Sequence, residues 1–354
     1  FKAYAKMASE LSDCAVGYNA GNIALEYLET FAGEFENHVK NKACEDADYR
    51  RVPCETLCPA HVNVPAYIAL TAAGDYAGAI NMIRRDNPFP TACALICEHP
   101  CERRCRRTLI DAPVNIRGIK KFAVDQRAAD TVEPPKRLPD TGKRVAVIGG
   151  GPSGMTCAYY LALMGHSVKV FEMHKKLGGM TRYGIPAYRF PRHRLDEDLN
   201  AILSVGNIEV ETECYVDEAK MREIHAEYDA IYVAIGAHSG KLLKMDGIDS
   251  EGVYSAVDLL GKIGDDDYPD FTGQSVAVIG GGNVAMDCAR SAVRAGAKQV
   301  SVVYRRRRED MTALDAEIDS AAAEGVELMM LEAPVAIEAD ETGHARYVIA
   351  QPQY

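Results

Sequence analysis

No apolar run in the 354 residues approaches the roughly 18 needed to cross a bilayer, so no transmembrane helix is expected. No secretory leader is visible. Positive charge is in deficit, with 40 Lys and Arg against 51 Asp and Glu, and the net charge of -11 argues against general affinity for nucleic acid or anionic lipid. The first residue is Phe1 rather than Met, so the sequence is expected to be a piece of a longer protein or a processed product. What remains is a soluble globular composition, 47% hydrophobic and 26% charged, with length for two or three domains.

Eleven cysteines stand in this chain, and seven of them fall between Cys44 and Cys105. Disulfide scaffolds are short and secreted, so clustered cysteines in a chain of this kind point to metal ligands or redox groups. In "CALICEHPCERRC" the thiols of Cys93, Cys97, Cys101 and Cys105 recur at four-residue steps. One unbroken helix would spread them over about 18 Å. Pro100 interrupts the run and disfavours a helical conformation at His99, so the chain is expected to bend there and let some sulfurs converge. Upstream stand Cys44, Cys54 and Cys58-Pro. Iron–sulfur clusters use Cys thiolates, often with a proline directly after one ligand. Zinc sites prefer CxxC pairs and fewer cysteines, so an iron–sulfur reading is favoured over zinc and over buried free thiols.

Residues 1–43 read as helical, with Leu25, Leu28, Phe31, Phe35 and Val39 at helical spacing. Residues 44–130 hold the cysteines, and the polar stretch 131–143, with three prolines, is a linker. The texture then changes. "RVAVIGGG" and "SVAVIGGG" open two strand–glycine loop–helix units, at 144 and 275. These predict an α/β fold with two Rossmann-like dinucleotide-binding domains, one inserted in the other or following it, over residues 144–272 and 273–354.

In the first loop Gly149 permits the tight turn, Gly151 the approach of a pyrophosphate and Gly154 the close packing of helix on strand. Pro152 and Ser153 open a helix whose N-terminus favours phosphate. Glu172, 23 positions after Gly149 at the end of the next strand, is placed to accept from a ribose diol. The second loop carries Gly280, Gly282 and Ala285, with Asn283 and Val284 at its helix start. Its second strand ends not in an acid but in Tyr304 and Arg305 to Arg308. Arginines there suit a 2′-phosphate, so this loop is read as built for NADPH and the first for FAD. Between them, "YDAIYVAIGA" is a strand whose small residues Ala234 and Gly236 permit close approach of a dinucleotide, although a buried strand would need no ligand to explain it.

The combination "PCETLCPAHVNVPAYIAL…NPFPTACALICEHPCERRCRR…PVNIRGIKKFA", the two loops and "LGGMTRYGIPAYRFP" resembles the small subunit of glutamate synthase. It is similar too to the large subunit of electron-bifurcating ferredoxin:NADP+ oxidoreductase and to the N-terminus of dihydropyrimidine dehydrogenase. The resemblance implies a helical domain with [4Fe-4S] clusters, an FAD domain and an inserted NADPH domain. It implies cluster ligands at Cys54, Cys58, Cys97, Cys101 and Cys105, with Cys44 displaced from a family CxxC. Lys120 stands where the family uses Gln or Glu as a ligand. Gly178, Gly179, Met180, Arg182, Tyr183, Gly184, Ile185 and Arg189 are implied to lie near the flavin. Residues 1–43 resemble the C-terminal helices of a diaphorase subunit of complex I-like enzymes, where a cysteine at the position of Cys14 completes a cluster site; a buried core thiol is the plainer reading of Cys14. The resemblance implies a cytoplasmic electron-transfer subunit in a hetero-oligomer, coupling NADPH, NAD(H) and ferredoxin by flavin-based bifurcation. A glutamate synthase small subunit, or a scaffold whose cluster ligands have decayed, are the alternatives.

Overall fold

The computed structural model describes residues 1–41 and 52–354. The chain divides into two compact units, Phe1–Thr56 and Leu57–Tyr354. In the first, helices Lys2–Leu11 and Ala15–Thr30 pack together and Ala32–Asn41 follows. Gly21 makes that packing possible, since a Cβ there would lie 2.4 Å from the Ser9 backbone nitrogen. The apolar residues read from helical spacing do not form a sealed core: Phe31, Phe35 and Val39 are exposed.

The second unit opens with short helices whose starts are written in the sequence. Asn63, Asp75 and Asn115 each accept a backbone N–H three residues on, at 3.0, 2.8 and 2.9 Å. They begin helices Val64–Ala72, Tyr76–Arg84 and Ile116–Gln126. Tyr67, Ile80, Ile83, Ala123 and Val124 are fully buried among them.

A four-stranded parallel sheet follows, built from β1 (Arg144–Ile148), β2 (Ser167–Phe171), β3 (Ile208–Glu211) and β4 (Ala230–Val233) in the order β3-β2-β1-β4. Strand order reverses at β1, so the crevice beyond the carboxyl ends of β1 and β4 is the ligand position in a doubly wound sheet. β4 is an edge strand, and the buried-strand alternative for this segment is not what forms: Tyr232 and Val233 are exposed. The second fold is a parallel sheet β5-β6-β7, with β5 Ser275–Ile279, β6 Gln299–Tyr304 and β7 Glu327–Met330. A hairpin of β8 (Glu332–Ala339) and β9 (Ala345–Pro352) follows it. Helix Ala256–Gly264 buries Leu259, Leu260 and Ile263 in this second core, and Asp246 bridges to Ala336.

Candidate dinucleotide and cluster sites

The first glycine loop is held by contacts no other residue would allow. Gly149 has φ +107°, and a Cβ on it would lie 2.4 Å from the Ala234 carbonyl oxygen. A Cβ on Gly154 would lie 1.9 Å from the Gly149 oxygen. Gly151 instead meets only Gly179, at 3.5 Å, so its outer side is open to a ligand. Gly151 is also the N-cap of helix Pro152–Leu163 and supplies no side-chain cap, which leaves amides of the first turn unclaimed by a cap. An uncapped helix start in a cradle without side chains fits a pyrophosphate. The Ser153 hydroxyl is 3.0 Å from that of Tyr232.

Glu172 is 4% exposed. One carboxylate oxygen accepts from the Gly150 amide at 2.7 Å and the other from the His174 amide at 2.8 Å. The acid therefore braces the glycine loop, and its remaining lone pairs are what a ribose diol would find. Gly236, at φ +70°, lies just past β4.

The "GGMTRYGIP" segment packs backbone on backbone against this loop. Gly178 donates to the Gly150 carbonyl at 2.9 Å, and a Cβ on Gly179 would lie 2.6 Å from Gly151 Cα. Met180 packs on Gly184, and Ile185 packs on the core of the first fold. Arg182 and Tyr183 are buried and locally committed. Arg182 bonds the Leu177 carbonyl at 2.6 Å and pairs with Asp196, and the Tyr183 hydroxyl donates to the Lys176 carbonyl at 3.1 Å. Arg189 turns to the other fold, 2.7 Å from Asp287 and 3.0 Å from Glu317.

The second loop repeats the design. Gly280 has φ +140°, and Gly282 is an N-cap without a side-chain cap on helix Asn283–Arg294. The Tyr304 ring covers Gly281, where a Cβ would lie 2.6 Å away. Asn283 accepts from the Leu314 amide and donates to Glu98, both at 3.0 Å. Val284 is exposed and Ala285 buried. The four arginines divide. Arg307 pairs with Asp310 at 3.2 Å and Arg308 with Asp319. Arg305 and Arg306 are exposed and hold no ion pair among the described residues, so they are available to an anion.

At the cysteines the expected bend forms. Helix Pro90–Leu95 ends before Cys97, His99 takes a left-handed conformation with φ +41°, and Pro100 starts a new helix. The Cys93 thiol is half-buried and receives a hydrogen bond from Asn87 at 3.1 Å. Burial pushes Cys101 up to about 11, against the charge of Lys120; Cys97 and Cys58 act on it too, so these thiols share one neighbourhood. Burial likewise raises Cys93, opposed by Lys120. Among the described residues, no three Cys, His, Asp or Glu side chains close around a single metal ion. A four-iron cube spreads its ligands wider than one ion does, and an array of half-buried thiols fits that donor chemistry. Cys105 caps the next turn, Cys54 lies on the short helix Pro53–Thr56 of the first unit, and Cys44 lies outside the described residues. Cys14 is not the buried thiol of the plainer reading: it is exposed and caps Ala15–Thr30, accepting from the Gly17 amide at 3.5 Å.

Three residues that position these sites were not read from the sequence: Asp198, Asp287 and Asn87. Asp198 is fully buried and accepts from the Thr91 and Ala92 amides at 3.1 and 2.7 Å, docking the Cys93 helix on the first nucleotide fold.

Residues 143–353, with 110–188, match the pyridine nucleotide-disulphide oxidoreductase family, and residues 37–132 match dihydropyrimidine dehydrogenase domain II, 4Fe-4S cluster. The beta subunit of NADP(+)-dependent formate dehydrogenase from Moorella thermoacetica is 38% identical over 314 residues, 82% of this chain and 44% of that one. The NADPH-Fe(3+) oxidoreductase subunit beta of Geobacter sulfurreducens is 38% identical over 304 residues, 83% of this chain and 44% of that one. The glutamate synthase [NADPH] small chain of Escherichia coli is 29% identical over 333 residues, 90% of this chain and 70% of that one. The chain thus spans under half the length of the first two relatives. The two family matches assign its cofactors by class, FAD and NAD(P) to the nucleotide folds and a [4Fe-4S] cluster to the helical part. No helix of the described residues is long and apolar enough to cross a membrane. The chain belongs to the pyridine nucleotide-disulphide oxidoreductase family, with an iron–sulfur domain ahead of its nucleotide folds.

Proposed function

We propose that this chain is the flavin and iron–sulfur electron-transfer part of an NADPH-dependent oxidoreductase with several subunits. The observation that carries the reading is the pair of uncapped glycine-loop helices in one unit, tied to each other through Arg189 and Asp287. FAD, held by the fold that opens at residue 144, would supply the exchange between the hydride of NADPH and the single electrons of a cluster; the boundary expected at 272 falls earlier, because Leu259 to Phe271 pack in the second core. Gly149, Gly151, Gly154 and Glu172 would hold its dinucleotide, with the 178–185 loop packed against them. Gly280, Gly282 and Ala285 receive the pyrophosphate of NADPH in residues 273–354, and Arg305 and Arg306 its 2′-phosphate. No side chain of the chain has to donate or accept a proton in the transfer. Cys58, Cys97, Cys101 and Cys105 of the second unit would hold the cluster or clusters of the helical domain.

The names of the two 38%-identical relatives, both beta subunits, support a partner subunit as electron acceptor or donor. Residues 1–43, whose described part exposes apolar side chains such as Tyr4, Met7 and Leu11, fit a place beside a diaphorase-like partner. Coupling of NADPH, NAD(H) and ferredoxin by bifurcation is the fullest form of this proposal. A cytoplasmic setting suits it, because clustered cysteines read as cluster ligands call for a reducing compartment. The test is cofactor analysis of the full-length protein purified without air. Stoichiometric FAD and iron are expected; flavin without iron favours the scaffold alternative. The likeness to the glutamate synthase small chain keeps one other reading in play, and glutamate formation from glutamine and 2-oxoglutarate, on adding the large-chain partner, would favour it.

A further inference from the structure

Lys120 is 8% exposed on helix Ile116–Gln126. Its ammonium lies 5.7 Å from the Tyr67 ring centroid, and no carboxylate pairs with it among the described residues. Two acids beside the cysteine segment are spent elsewhere. Asp198 accepts from Thr91 and Ala92, and Glu102 accepts from the Arg117 amide at 2.7 Å. Burying a cation without a counter-charge is unfavourable. Yet its helix abuts the cysteine segment: Arg117, three residues earlier, donates from its guanidinium to the Cys97 carbonyl at 2.9 Å, and its amide bonds Glu102, the neighbour of Cys101. A thiolate-ligated iron–sulfur cube is anionic, and each electron it accepts adds to that charge.

We propose that Lys120 is a built-in counter-charge to the cluster, a positioning and tuning residue that is not a ligand and that favours the cluster's reduced state. The inference rests on the iron–sulfur reading above. It gives the cysteine pocket a reason to keep a lysine in its interior, and it sets the direction of bias: electrons from the flavin are drawn toward this pocket.

The test is an EPR-monitored redox titration of the full-length protein prepared without air, with iron measured on the same samples. A wild-type protein with no cluster signal defeats the iron–sulfur reading, and this inference with it. Given a signal, Lys120→Met is expected to keep its iron and to be reduced with a roughly tenfold smaller equilibrium constant, about 59 mV more negative for a one-electron couple. Lys120→Arg keeps the charge and is expected to stay within about threefold of wild type. An unchanged potential in iron-replete Lys120→Met overturns the inference. If Lys120→Met loses its iron, Lys120→Arg decides: retained iron and potential uphold the role of charge, and iron lost there too overturns it.

Discussion

Arg189 and Asp287 meet at 2.7 Å across the seam between the two nucleotide folds. Asp287 belongs to the helix that starts at the second glycine loop, and Arg189 closes the segment that packs on the first. The second arm of the same guanidinium reaches Glu317, which also holds Arg290 at 2.8 Å. The network fixes how one loop faces the other, and hydride transfer requires such positioning.

Burial, only partly offset by Arg189, pushes the Asp287 carboxyl up to about 6. The folded state therefore holds this proton more tightly than the unfolded chain does. The site's contribution to stability is full below the ordinary carboxylate range, falls as pH rises toward 6, and is flat above. Asp287→Asn lacks the effect. Across pH 4 to 7, the stability of wild type relative to Asp287→Asn is expected to fall by an amount on the order of 3 kcal/mol, read from denaturant melts. A constant difference would show that Asp287 does not titrate in that window.

Glu172 predicts a coupling between fold and flavin. Glu172→Ala orphans the Gly150 and His174 amides, at roughly 1–3 kcal/mol each. Glu172→Gln keeps one acceptor and should lose about half as much. Both variants are expected to come off purification with less FAD than wild type. Full flavin occupancy with unchanged stability would remove the brace from the account.

The arginine run predicts a division of labour. Arg305→Ala and Arg306→Ala should each raise the KM for NADPH about tenfold, the scale of one charge-assisted hydrogen bond, and leave that for NADH unchanged. Arg307→Ala and Arg308→Ala should do far less, because those side chains already serve Asp310 and Asp319. Equal effects at all four positions would point to general attraction of a surface patch rather than a 2′-phosphate site.

Much of this was legible in the sequence because it depends on local backbone demands. A glycine that must adopt φ +107°, or pack against a carbonyl, announces itself in the order of residues, and so does a proline that ends one helix and starts another. The arginine run stood out for the same reason, as a departure from the acid that ends β2. The commitments of buried charges were not legible. Arg189 was expected beside the flavin through a family resemblance, and its guanidinium lies on the seam, because Asp287 is 98 residues away in sequence and only the fold brings it near. Asp198 was not singled out in the sequence; its role comes from amides more than 100 residues upstream. The exposure of β4 followed from its edge position, which strand order decides and strand composition does not.

The most direct test of the central claim is an anaerobic titration of the full-length protein with NADPH, with NADH as control, followed by absorbance and low-temperature EPR. The account predicts that NADPH bleaches the flavin and that reduced-cluster signals then appear, with NADH markedly less effective at the same concentration. A flavin that stays oxidised under NADPH, in protein that contains its iron and FAD, would contradict it.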